Sequence, residues 1–413
     1  MKLNKYLPFA FIYFFVNAVG LPFGVLYTTI LTPIFYLWIS LKGKALVVLP
    51  FFFLLAPFII NHLINGVDIY FYERSILLYL TVYIFCLAFH TLIRTYGDIE
   101  DIFKKILLYN FALTILALFL VLTPYRFLFW SDWSYLTGGV IGLPRLQMLT
   151  YEPSYYSTLF VPIFAFYFVK YLLKQLNGNV LITLTMIILP LVFSFSLGVI
   201  SGLALAIAVL FLVNFSKFLS SKRLFYSLSI LALSSLLILI ILFVFYQDNP
   251  LFIRVTSFLS GNDQSGRGRT SEAFQLAYLI ADAKSIWWGV GPGQLKIIGD
   301  PIIREFYHYP PGYGQVSIPN AFAETVALFG IVGAILRLLI ELYLFFRTKV
   351  LKNYFRTLLF FYIFVYQFTG SYTTNIAEYV IWILAFTNVF PEFDKNQKIQ
   401  GKLPQYQVKP KSF

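Results

Sequence analysis

Ser265-Gly-Arg-Gly-Arg-Thr270 and Gly289-Val-Gly-Pro-Gly293 stand inside Gln247–Asn320, the one long part of the chain with no apolar run of membrane length. On either side of it, nearly everything reads as lipid-spanning helix. Of the 413 residues, 59% are hydrophobic, 20% aromatic and only 12% charged. A soluble domain carries about 25% charged residues. So little charge cannot cover a water-facing surface, so the main solvent must be lipid.

A bilayer-crossing helix needs an apolar run of about 17–25 residues. Twelve spans are predicted, at 6–19, 21–41, 45–64, 75–93, 103–123, 154–173, 179–197, 199–216, 224–246, 320–346, 355–371 and 373–390. The expected fold is an all-α polytopic membrane helix bundle over 1–413, with about 12 transmembrane helices. A long extracytoplasmic loop containing short helices is expected at 248–319, and a cytoplasmic tail at 391–413. The formal net charge of +13 fits that topology. With the amino terminus inside, the inner segments hold 21 of the 31 basic residues and the outer segments nine, while Arg337 falls within a span. Ten acids offset the nine outer bases. This asymmetry puts both termini in the cytoplasm and makes nucleic acid an unneeded explanation of the charge.

Cys86 is the single cysteine, which excludes an internal disulfide and a Cys-based zinc site. His62, His90 and His308 are far apart, without metal-ligand spacing. No metal and no cofactor is expected. No small-x-small site closes the first apolar run, so no cleavable signal peptide is expected. The polar, basic tail is expected to stay disordered or to touch anionic headgroups.

Four constellations could carry chemistry. In the first, Arg267 and Arg269 precede a predicted helix at Thr270–Ala283, where Phe274, Ala277, Tyr278 and Ala281 recur at helical spacing. Thr270 is the expected cap, and Glu272 suits the positive end of the helix dipole. Backbone N–H groups and two guanidinium forks would attract a phosphate there. The plain alternative is a flexible turn with solvated arginines. In the second, Arg145 precedes Tyr151-Glu-Pro-Ser-Tyr-Tyr-Ser157 at a span start. One reading of Glu152 is a carboxylate that serves only the helix dipole; if it shares a polar cavity with Arg145, it can take a proton from a hydroxyl. In the third, Gly289-Val-Gly-Pro-Gly293 lacks the βαβ surroundings and Gly-Lys-Ser/Thr of a nucleotide loop, so it reads as a tight turn.

The fourth runs from His308 to Glu324. His308 is the only histidine in an outer loop and the one group there that titrates near neutrality unaided. Asn320 and Glu324 fall one helical turn apart on one face. Ile286-Trp-Trp288 is placed at headgroup level. Within the spans, Arg337 and Glu341 can pair at i, i+4, and Glu378 lies in the outer half of the last span. Ion-coupled transporters gather ionisable groups near the midplane. This chain gathers them at the outer surface.

This layout resembles the bacterial O-antigen polymerase and O-antigen ligase superfamily of polytopic glycosyltransferases. The residues that carry the resemblance are Arg145 ahead of Glu152-Pro-Ser154, and Arg269 before a helix and Gly289-Val-Gly-Pro-Gly293. Asn320-Ala-Phe-Ala-Glu-Thr325 and Phe329-Gly-Ile-Val-Gly333 complete it. The resemblance implies a donor and acceptor that are both undecaprenyl-diphosphate-linked oligosaccharides, held at the outer face of the bacterial inner membrane. It further implies membrane lipids, a chain-length regulator and a flippase as partners. By the same resemblance, Arg145 and Arg269, or Arg267 in its place, bind the diphosphate, with Arg254 as the replacement for a missing basic partner. Beside that, Glu152 or His308 is expected as the base, and Tyr155, Tyr156, Asn320 and Glu324 as contacts to glycan or lipid. Members often read Ser-Arg-Gly where this chain has Ser196-Leu-Gly198. Ligases carry His-Asn where it has Pro319-Asn320, which favours polymerase over ligase. A flippase for the same lipid-linked glycan is the other alternative.

Overall fold

A computed structural model describes residues 6–21, 25–95, 99–131, 135–136, 140–141, 144–176, 178–215, 264–309, 314 and 316–395. The ninth expected span, 224–246, and Arg254 lie outside the described residues. Helix α1 (Leu7–Phe11) runs on as a π-helical turn to Val16. Then come α2 (Tyr27–Ile30), α3 (Thr32–Leu41), α4 (Leu49–Ile64), α5 (Ile69–Thr95) and α6 (Ile99–Leu120). A two-residue antiparallel ladder, β1 (Tyr135–Leu136) on β2 (Val140–Ile141), is the only sheet among the described residues. After it come α7 (Pro153–Leu172), α8 (Val180–Ser194), α9 (Leu197–Val213), α10 (Gln264–Arg269), α11 (Ser271–Asp282) and α12 (Gly299–Tyr307). The last helices are α13 (Ala321–Arg347), α14 (Tyr354–Tyr366) and α15 (Ile376–Phe386).

The chain is helical, as its composition requires. Four segments are long and apolar enough to cross a membrane: Ala45–Ile64, Ile69–Thr95, Ile99–Leu120 and Ala321–Lys352. Others at expected spans, including α3, α14 and α15, are apolar but shorter. Helix α7 is the axis of the bundle. Sixteen of its 20 residues are buried, on every side, as for a helix with neighbours all round. It packs on α8, α9, α14 and α15.

The expected uninterrupted span at 320–346 is broken. Gly330 has φ 65° and ψ −168°, so α13 is two arms, 321–329 and 331–347. On a straight helix residues 321 and 337 would stand about 24 Å apart. Instead the Arg337 guanidinium donates to the Ala321 carbonyl at 3.3 Å and to Thr325 Oγ1 at 3.0 Å. The arms therefore fold sharply on each other. Arg337 also pairs with Glu341 at 3.1 Å and with Glu378 at 2.5 Å, tying the corner to α15.

A break in an apolar helix is tolerated only where its freed backbone groups are bonded inside the protein. The Ile286–Gly291 loop supplies the partners. Val290 and Gly291 N–H groups donate to Ala327 and Leu328, both at 2.9 Å, while Ile331 and Val332 donate to Ile286 at 3.0 Å and Trp287 at 3.1 Å. The glycines of 289–293 serve this close approach. A Cβ on Gly289 would lie 2.4 Å from the Leu328 carbonyl carbon, and one on Gly293 2.3 Å from the Phe71 oxygen. The tight-turn reading of this motif is the one the geometry has. His62 Nε2 meets the Trp288 carbonyl at 2.7 Å, and Gln294 bonds both backbone groups of Asp68 at 3.0 Å. The loop is thereby locked to the α4–α5 turn, with Trp287 left 61% exposed.

Two local expectations change. Thr270 does not cap α11: its hydroxyl donates at 2.8 Å to the Gly266 carbonyl, because residues 264–269 are already helical. The two arginines thus sit in the last turn of a short helix rather than in an open turn. The start of the tail is also ordered. Phe393 is fully buried against Phe166, Phe355 and Phe390, and Asp394 accepts from Asn353 at 2.8 Å. The rest of the tail, 396–413, lies outside the described residues.

Candidate functional site

One end of the bundle gathers the start of α7, the end of α8, the α10–α11 corner, the start of α13 and the 367–375 segment. Pro153 occupies the first turn of α7, where its missing N–H costs nothing. Glu152 is the N-cap residue with extended backbone, yet its side chain does not cap the helix. Glu152 Oε1 instead accepts a short hydrogen bond from Ser154 Oγ and faces Arg269 Nη2 at 3.8 Å. Residues 117 positions apart thus meet in one cleft. Its walls include Tyr151, Tyr155, Pro319, Tyr366, Ser371 and Tyr372.

Helix geometry decides which neighbouring aromatic faces the cleft. Successive side chains point about 100° apart, so Tyr155 and Tyr156 cannot share a face. Tyr155 stacks on Tyr151 with ring centroids 4.7 Å apart and lines the cleft. Tyr156 turns into the core, fully buried, and donates to Asn110 Oδ1 at 2.9 Å. It is closed off from any substrate. Burial holds the Tyr372 phenol above its ordinary pKa, so it stays a neutral donor. Glu152 is the one carboxylate among the cleft residues.

The other arginines are placed differently. Arg145 lies on a strap bridged to Trp130 through Leu146, and its Nε donates to the Ser194 carbonyl at 3.1 Å. There it satisfies one of the carbonyls at the end of α8 that the helix itself leaves without a donor. Helices α7 and α8 form an antiparallel hairpin, so Arg145 shares the Glu152 end of the bundle without lining the cleft. Arg267 points away: it is 49% exposed and pairs with Glu272 at 3.3 Å. His308 is exposed at the left-handed end of α12, and it too is absent from the cleft walls.

Asn320 and Glu324 hold the site rather than face it. Asn320 is fully buried; its Oδ1 caps α13 by accepting from Ala323 N at 2.8 Å. Its Nδ2 donates to the carbonyls of Arg269 at 2.7 Å and Phe368 at 2.6 Å. One amide therefore joins three of the segments that meet here. Glu324 Oε2 accepts from Thr373 N at 2.7 Å, anchoring the 367–375 wall. Sequence reasoning missed the wall residues Ser371, Tyr372 and Asn375. The polar run Thr369–Asn375 between two apolar stretches was the available signal. Comparison with known proteins finds no matching family model and no matching curated protein.

Proposed function

We propose that this chain is a membrane glycosyltransferase that polymerises polyprenyl-diphosphate-linked oligosaccharide repeats at the outer face of a bacterial inner membrane. The proposed topology has about twelve spans, with both termini cytoplasmic and the cleft outside. The observation that carries the reading is the meeting of Arg269 and Glu152 in one tyrosine-walled cleft. Arg269 presents a fork suited to a diphosphate, and Glu152 a carboxylate suited to an acceptor hydroxyl. In the reaction the acceptor oxygen bonds to the donor's anomeric carbon and the bond from that carbon to the phosphate oxygen breaks. Glu152 takes the hydroxyl proton, and the diphosphate leaves with the electron pair against Arg269. Charge that develops on the leaving group is what a positioned guanidinium stabilises most.

The surroundings support a lipid-linked substrate. An apolar cavity of about 210 Å³ is lined by Leu159 and Pro162 of α7, with Tyr13 and Phe14 opposite. Tyr155, Leu159 and Pro162 recur at i, i+4, i+7, on the face of α7 that begins at the cleft. The apolar cavity therefore lies further along the same face of α7 that supplies Tyr155 to the cleft, which suits a substrate with a hydrocarbon tail. The test is incubation of purified protein with a polyprenyl-diphosphate-linked repeat, read as product length on a gel. A ladder is expected, and it disappears in Arg269→Ala. Transfer to lipid A core alone, or movement of the glycan across a vesicle bilayer with no change in length, overturns the reading.

A further inference from the structure

We propose that the Arg269–Glu152 pair is a latch opened by the anionic donor, so that Glu152 is released to the acceptor only after the diphosphate is bound. The inference rests on the polymerase reading of the cleft and adds an order of events to it. The pair is loose. At 3.8 Å it lies outside the 2.7–3.2 Å range of a hydrogen bond, and the two side chains are 31% and 33% exposed. Pairs of this kind hold weakly, whereas a diphosphate offers a guanidinium several charged oxygens and bidentate geometry. The free space of about 20 Å³ in the cleft suits a water molecule, so a sugar phosphate needs the cleft to widen, and the loose pair is a contact it can part.

The backbone on both sides is pinned, which confines the change to side chains. Asn320 Nδ2 holds the Arg269 carbonyl at 2.7 Å. The Glu152 carbonyl accepts from Thr150 Oγ1 at 3.0 Å and from Tyr156 N at 3.1 Å. When Arg269 swings to the diphosphate, the Glu152 carboxylate keeps Ser154 Oγ but loses its cation. The side of Oε1 that faced Arg269 is then open to the acceptor hydroxyl, while Ser154 Oγ still donates to the same atom. The hydroxyl proton moves to Glu152 as the new oxygen–carbon bond forms and the carbon–phosphate-oxygen bond breaks. After the diphosphate departs, Glu152 gives that proton to water and the pair closes again. The donor therefore binds before the acceptor is activated.

The experiment is calorimetric titration of the purified full chain with inorganic diphosphate. Glu152→Gln and Glu152→Ala are each expected to bind it about two- to five-fold tighter than the unaltered protein, the share that a part-exposed ion pair can withhold. Both variants are expected to form no polymer, so binding and turnover move in opposite directions. Unchanged or weaker binding in both, with binding still lost in Arg269→Ala, overturns the latch and leaves the cleft assignment standing. Binding unaffected by Arg269→Ala, or undetectable in every protein, overturns the cleft assignment itself and the latch with it.

Discussion

Replacing Asn320 tests how the cleft is held together, because its amide is used at both ends. Asn320→Ala removes the α13 cap, worth about 1 kcal/mol. It also leaves the Arg269 and Phe368 carbonyls without a donor, at about 1–3 kcal/mol each where they stay buried. The expected loss is about 3–7 kcal/mol, a large part of the 5–15 kcal/mol that holds a typical domain. Asp is ordinarily as good an N-cap as Asn. Here Asn320→Asp keeps the bond to Ala323 N but sets a carboxylate oxygen where Nδ2 stands 2.6–2.7 Å from two carbonyl oxygens. The order of stability is therefore unaltered protein, then Ala, then Asp. Thermal unfolding of the detergent-purified protein reads that order, and diphosphate titration reads the accompanying loss at Arg269. An Asp variant as stable as the unaltered protein refutes the amide orientation and with it the staple.

The α13 break and the candidate bases give further tests. Gly330→Ala puts a Cβ 2.2 Å from the Trp287 carbonyl oxygen at a backbone conformation that L-residues avoid. It is expected to cost several kcal/mol by undocking the 286–291 loop, against a small effect for Gly198→Ala, whose new Cβ makes only ordinary contact; equal melting temperatures in the two refute this account of the loop. His308→Ala is expected to leave polymer length unchanged on a gel, since the imidazole is exposed and away from the cleft walls. A collapse to single repeats in that variant would return the base to His308.

Helix content, the need for lipid and the polar character of 264–319 follow from composition and local pattern, which is why they are legible along the chain. Apolar run length reports where a helix can form without reference to its neighbours. It does not report where a helix breaks. Nothing near Gly330 distinguishes it from other helical glycines; only the docked loop, which pairs the freed groups, makes that break affordable. The same limit governs the site. Glu152 and Arg269 were both legible as charged residues at helix ends, and Arg145 looked equally suited. That Arg269 enters the cleft, Arg145 turns to the end of α8 and Tyr156 faces the core is decided by packing. Asn320 shows the difference most clearly. Its sequence position marks a helix start, but its role in carrying Arg269 exists only because three distant segments come within hydrogen-bond reach of one buried amide, and hydrogen bonds act at about 3 Å whatever the separation along the chain.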